Sequence, residues 1–149
     1  MECDGCTLCC NLIAVPWMDS SPGKWCKECI PGKGCNIWQT CPDKCKEYEC
    51  SYRQVEKCST DLRPDKIKIL FEKVSDDIFF GLNHPDYNLT KLALKQIGAF
   101  TKQGFSVVIS NHKEKDVKLF LVKGHIKNQV IQKVKQRIKE ANDSTIIHN

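Results

Sequence analysis

The chain is predicted to adopt an α+β fold in which a cysteine-rich N-terminal module, residues 1–58, packs as one compact unit against a mainly antiparallel sheet with two helices, residues 59–149. Three observations predict it. All eleven cysteines lie between Cys3 and Cys58. From Ser59 onward, apolar residues follow strand and helix periods in the order hairpin, helix, hairpin, helix. Charge changes at the same boundary: seven Lys and Arg face eight Asp and Glu up to Cys58, and sixteen face ten beyond it, so the net charge of +5 comes from the second part. A chain of 149 residues is long enough for a core of its own.

The first ten residues hold Cys3, Cys6, Cys9 and Cys10. Cysteines two residues apart let a turn present both sulfurs to one ion, because the backbone between them folds back and points amides at the thiolates. Adjacent side chains leave the backbone in different directions, so Cys9 and Cys10 are expected to serve two sites, or one ion and one redox partner. The apolar run Leu12 to Val15 makes one strand or helical turn and stops at Pro16, and Pro22-Gly23 enforces a loop carrying Trp17 and Trp25. Trp25-Cys26-Lys27-Glu28-Cys29 is a second knuckle. Pro31-Gly32-Lys33-Gly34-Cys35 is a turn delivering another sulfur; it lacks the preceding strand and the following Lys-Ser/Thr helix of a phosphate loop. Cys41, Cys45 and Cys50 follow, with Trp38 and Tyr48 nearby, and the aromatics are expected as lids on a tiny core rather than as a recognition surface.

A secreted disulfide framework is disfavoured by the odd cysteine total, by a cysteine two residues after Met1, and by the lack of a charged and then apolar leader. Spacings of this kind in a non-secreted chain point to metal. A core this small gives a few kcal/mol at best, whereas structural zinc supplies roughly 10–16 kcal/mol in zinc-finger peptides; the module is therefore expected to be metal-stabilised. His84, His112, His125 and His148 all lie outside it, so a centre there is all-sulfur, which suits either zinc or an iron–sulfur cluster. The candidate ligands are Cys3, Cys6, Cys9, Cys10, Cys26, Cys29, Cys35, Cys45 and Cys50. Two four-cysteine centres would leave one of these free, and Cys3 is the first to leave out. So many sulfurs exceed the needs of one structural zinc, which favours iron.

Cys6-x-x-Cys9-Cys10, Trp25-Cys26-x-x-Cys29, Gly34-Cys35-x-Ile37-Trp38, Pro42-x-x-Cys45 and Tyr48-x-Cys50 together resemble the YkgJ-like cysteine-cluster family of zinc- or iron-chelating proteins. The resemblance is specific over residues 3–53 and continues loosely through Leu62-Arg63-Pro64-Asp65. It implies one or two all-cysteine centres in a structural, redox or sensing role. The family has Arg-Pro where this chain has Cys41-Pro42, so Cys41, like Cys58, is a departure and is not carried over as a ligand. Relatives of the family include flagellin lysine N-methylases, in which a similar cysteine set accompanies methyl transfer. The alternative reading is accordingly an iron–sulfur enzyme in electron transfer or protein modification, although the chain has no glycine-rich strand-to-helix turn for a methyl donor.

In the second part, Ile67, Ile69 and Phe71 alternate with Lys66, Lys68 and Leu70 as a half-buried strand, Ser75-Asp76-Asp77 turns it, and Ile78 to Phe80 begins its partner. Asn88 is the expected cap of a helix from Leu89 to Lys102 with Leu92, Ala93, Ile97 and Phe100 inward, ended by Gly104. Strands follow at Phe105 to Ser110 and Val117 to Val122. The last helix, Ile126 to Ala141, carries Ile126, Val130, Val134, Ile138 and Ala141 on one stripe with Ile131 beside it, and both helices are expected on one face of the sheet. Its outer Lys127, Lys133, Lys135, Arg137 and Lys139 allow a weaker nucleic-acid reading, with a solvated face preferred because no aromatic platform is interleaved. Asp76, Asp77 and Asp86 sit at turns, where backbone preferences explain them. No apolar run nears the roughly 20 residues of a membrane span, and a cytoplasmic protein whose partner is a metal ion or cluster is expected.

Overall fold

The computed structural model describes residues 5–14, 18, 20–54, 59–111 and 117–143. Among these, the chain runs α1 (Cys9–Leu12), β1 (Cys29–Ile30), β2 (Gly34–Cys35), α2 (Asp43–Glu47), α3 (Ser51–Gln54), a 3₁₀ turn (Thr60–Leu62), α4 (Pro64–Ile67), β3 (Ile69–Ser75), β4 (Ile78–Asn83), α5 (Lys91–Lys102), β5 (Ser106–Ser110), β6 (Lys118–Phe120) and α6 (Lys127–Asp143). It is an α+β protein with a mainly antiparallel sheet.

The four-stranded sheet has the order β3-β4-β5-β6. β3 and β4 form an antiparallel hairpin with Ile69 opposite Asn83, and β5 and β6 pair antiparallel with Val108 opposite Leu119. β4 and β5 run parallel, Ile78 opposite Ser106, because α5 carries the chain back to the end where β4 began. Thr90 caps α5 by accepting a hydrogen bond from Ala93 N at 3.0 Å. At its other end Gly104 takes φ +92°, where a side chain would be strained.

Strand alternation divides the core in two. Ile69, Phe71, Phe79, Val107 and Ile109 face Ala93 and Ile97 of α5, with Phe100 stacked on Phe79 at a ring separation of 4.1 Å. Ile78 and Val108 face the other way and meet Val130 and Val134 of α6. Beside α6 on that second face, Leu70 receives Leu8 and Leu12 from the cysteine-rich part together with Cys50 and Tyr52. Gly81 in the middle of β4 is where these layers close tightest: a Cβ there would stand 2.5 Å from Ile109 Cδ1 and 2.9 Å from both Ile69 Cδ1 and Phe71 Cε1.

Several expectations are corrected. The two long helices lie on opposite faces of the sheet, because β5 is apolar on both sides (Val107, Val108 and Ile109 are all buried) and needs a cover on each. Ile67 belongs to α4, not to a strand, and Lys68 in the left-handed conformation (φ +65°) starts the turn into β3. Thr90, not Asn88, caps α5. Leu92 is exposed, as are Ile126, Ile138 and Ala141; the apolar stripe of α6 is longer than the sheet face it meets, which accommodates Val130 and Val134.

Candidate metal centre

Gly5 adopts φ +77°, and a Cβ on it would lie 2.7 Å from Gly32 O, so only glycine lets the N-terminal loop sit against the β1–β2 turn. Thr7 Oγ1 accepts from Gly32 N at 3.0 Å, Cys26 N donates to Cys10 O at 2.9 Å, and Gly23 N donates to Asn11 O at 2.8 Å. These bonds fasten α1 to the hairpin. In the hairpin Cys29 stands opposite Cys35, and Cys29 N closes the knuckle turn onto Cys26 O at 3.0 Å.

The nine described cysteines, Cys6, Cys9, Cys10, Cys26, Cys29, Cys35, Cys41, Cys45 and Cys50, are all free thiols. Cys10 lies near Cys9 and Cys29, close enough for each to shift the ionisation of the next, and Cys29 lies near the Thr7 side chain. These three thiols run from α1 to the hairpin without closing into a ligand set. The neighbouring Cys10 thiol outweighs burial at Cys9 and, helped by Arg53, lowers its thiol to about 7. Cys10, the partner that keeps its proton, is raised by Cys9 and then by burial. Burial pushes Cys6 up to about 12, with the Asp65 charge adding to it, and Cys45 up to about 11, with Cys41, Cys26 and Cys35 adding to it. Cys29, Cys41 and Cys50 are raised by burial as well.

The hairpin and α2 gather a second neighbourhood, in which Cys45 lies within electrostatic reach of Cys26, Cys35 and Cys41. Cys41 is buried and its Sγ donates to Trp38 O at 3.2 Å. Cys50 sits in the apolar core against Leu70. Cys3 and Cys58 lie outside the described residues. Among the described residues, no three His, Cys, Asp or Glu side chains stand together as they would around an ion. The donor chemistry fits a thiolate-bound metal, while the arrangement falls short of a formed ligand set. An ion would have to draw a further thiol onto the Cys9–Cys10–Cys29 line and displace protons that burial now holds in place. Beside Cys10, Asn11 is buried with Oδ1 lacking a hydrogen-bond partner among the described residues.

Of the aromatic residues expected as lids, Tyr48 packs against the Leu8–Leu12–Cys50 cluster, whereas the described tryptophans do not close over this region. Trp25 is 39% exposed and Trp38 51% exposed, and Trp17 lies outside the described residues. A groove of about 500 Å³ between the cysteine-rich part, β3, β4 and α6 has an apolar floor of Ile13, Leu70, Phe80 and Leu82 under Glu47, Glu49, Glu72 and Arg137. No described cysteine lines it.

One polar cluster escaped the sequence reading. Ser106 Oγ lies 2.7 Å from His125 Nδ1, and His125 Nε2 lies 3.8 Å from Asp77 Oδ2. Ser106 has no exposed surface, and its Oγ accepts from Val122 N at 3.1 Å, so no substrate reaches it. With Lys133 bound to both Asp77 oxygens at 3.1 and 3.2 Å, the cluster ties α6 to the β3–β4 turn. The structural reading of Asp77 stands, for side-chain as well as backbone reasons. Three residue types spread over fifty positions form no local motif, so only the fold reveals them.

The fold and these side chains define an α+β protein bearing a thiol-rich module. The chain matches no family model, no curated protein and no solved structure. No helix among the described residues is long and apolar enough to cross a membrane.

Proposed function

We propose that this is a cytoplasmic metal-binding protein of the YkgJ-like cysteine-cluster type, whose N-terminal module holds zinc or an iron–sulfur cluster in one or two all-cysteine centres. The observation that carries the reading is the set of nine free cysteines in a part of the chain built from elements of two to five residues. Elements that short do not hold themselves together. Soft thiolates are what zinc and iron–sulfur clusters select. Cys6, Cys9, Cys10, Cys26, Cys29, Cys35 and Cys45 are the proposed donors, with Cys3 and Cys50 as the remaining candidates. Cys41 enters the proposal through its place beside Cys35 and Cys45. The role is structural, redox or sensing.

An enzymatic centre would need an open metal position facing a concave, polar pocket, and the described groove beside the module is lined by no cysteine. The test is purification without oxygen followed by metal analysis and visible absorbance. A brown protein with a sulfur-to-iron charge-transfer band indicates a cluster, and a colourless one retaining zinc indicates thiolate zinc. Well under one equivalent of both metals in a folded chain overturns the reading.

A further inference from the structure

We propose that the hairpin face of the cysteine-rich module binds single-stranded nucleic acid. Two large aromatic side chains on so small a unit are normally its core. Here Trp25 and Trp38 stand open to solvent, as does Ile30 at 42% exposure. The register Cys29↔Cys35 continues through Asn36 N donating to Glu28 O at 2.8 Å, which brings the chain before Cys26 and the turn after Cys35 to the same open end of the hairpin. Trp25 precedes and Trp38 follows the strands at that open end, and Ile30 and Lys33 lie at the turn end.

The charge around them fits the same partner. Residues 24–46 contain five lysines against two acidic residues, Glu28 and Asp43, although the first 58 residues as a whole carry a slight excess of acid. Lys24, Lys27, Lys33 and Lys46 are exposed. Exposed indole planes beside ammonium groups are the two components that hold unpaired bases and their phosphates: the base stacks, and the backbone is neutralised. A duplex offers no free base face to a tryptophan, so a single strand is the better fit. An apolar protein partner would gain nothing from the lysines.

The outer face of α6 is the competing basic surface, and the structure weakens it. Lys133 is paired with Asp77, and Arg137 Nη2 with Glu72 Oε1 at 2.9 Å. The hairpin surface needs neither α6 nor a particular metal, only a folded module.

The test uses the full chain as purified and the fluorescence anisotropy of a labelled oligothymidylate, an oligouridylate and a duplex. Both single strands are expected to bind, the RNA and DNA arms showing whether the 2′-hydroxyl is read, with the duplex bound more weakly. Trp25→Ala and Trp38→Ala should each weaken single-strand binding about tenfold or more, while the exposed positions leave thermal stability unchanged and Trp→Phe restores part of the affinity. Lys27→Glu with Lys33→Glu removes two phosphate contacts and should flatten the slope of log affinity against log salt by about 1.4. Lys135→Glu with Lys139→Glu should change affinity far less. Failure of either strand to bind at low salt, equal binding of the duplex, tryptophan variants that bind like the parent, or loss confined to the α6 variant would each overturn the proposal.

Discussion

The two halves of this molecule are held together by different means. In the sheet half, strands of three to seven residues and two long helices of twelve and seventeen, together with the short α4, bury aliphatic and aromatic side chains on both faces of one sheet. The cysteine-rich half has helices of four and five residues and strands of two, and its packed side chains belong to a cluster shared with the sheet, through Leu70. Where burial is plentiful, secondary structure is long and the backbone follows from packing. Where it is scarce, backbone hydrogen bonds and the close approach of Gly5 to Gly32 position the chain.

The largest effect that can separate the halves is removal of the metal proposed for the thiols. Cys26→Ser with Cys29→Ser keeps side-chain volume and deletes two sulfurs from the hairpin, and chelation does the same to the parent. Both are expected to release metal, to allow proteolysis between Pro22 and Pro31, and to leave a protected fragment beginning near Ser59, read by mass spectrometry. Cys58→Ser should leave the pattern unchanged. Equal resistance in the double variant and the parent would mean that packing alone holds the module, and the contrast between the halves would disappear.

A second pair of variants sharpens the contrast within packing itself. Leu12 and Ile97 are both fully or almost fully buried, one reaching from the module to Leu70 and the other filling the space between α5 and the sheet. Each truncation to alanine should cost about 2–5 kcal/mol. Ile97→Ala should accelerate amide exchange throughout β3, β4 and β5, whereas Leu12→Ala should loosen α1 and the hairpin and spare α5. If both variants accelerate exchange everywhere, the halves unfold as one unit.

The sheet half was legible because its information is periodic. Ile69 and Phe71, the helix expected over Leu89 to Lys102 and formed over Lys91–Lys102 behind a Thr90 cap, and Gly104 at its end are legible in spacing and turn chemistry. What failed there was the placement of α6, because Val107-Val108-Ile109 is apolar at every position and alternation cannot say which face is left for a helix. In the module, the cysteine spacing points to a shared centre but does not say which sulfurs would share it, and no three of the described ones stand together. The placing of Cys10 near Cys29 goes with Gly5 lying against Gly32 and with the Thr7 hydroxyl accepting from Gly32 N, two long-range contacts with no local signature. The exposure of Trp25 and Trp38 was missed for a related reason, since aromatic residues in a segment without aliphatics are expected to form its core.

Gly81→Ala probes the tight side of the comparison. One added methyl meets Ile109, Ile69 and Phe71 at once, so those side chains must leave their preferred rotamers or the strands must shift. Overpacking of this kind costs about 1–3 kcal/mol. Chemical denaturation should report that loss with the thiol contacts unchanged. A neutral result would show that the sheet face yields as readily as the module.

The smallest effect concerns the charge that fixes α6. Asp77 accepts from the Ser75 hydroxyl at 2.6 Å and is paired with Lys133, with His125 nearby, and these outweigh its slight burial to hold its carboxyl below the usual range. A carboxyl depressed in the folded state stabilises the fold fully above its unfolded value of about 3.9, and that contribution disappears as pH falls through the lower folded value. Asp77→Asn keeps an oxygen for Ser75 and deletes the charge. Because the Asp77 side chain is 40% exposed, solvent screens the pair, and the expected cost is a few tenths of a kcal/mol near neutral pH. The difference between parent and variant should shrink in high salt and vanish near pH 2, read from denaturation with a probe in β4 or α6. A cost that persisted in acid would assign the effect to the Ser75 hydrogen bond instead of the ion pair. A cost that spread to the hairpin amides would show that α6 and the module, neighbours on one face of the sheet, are coupled through it.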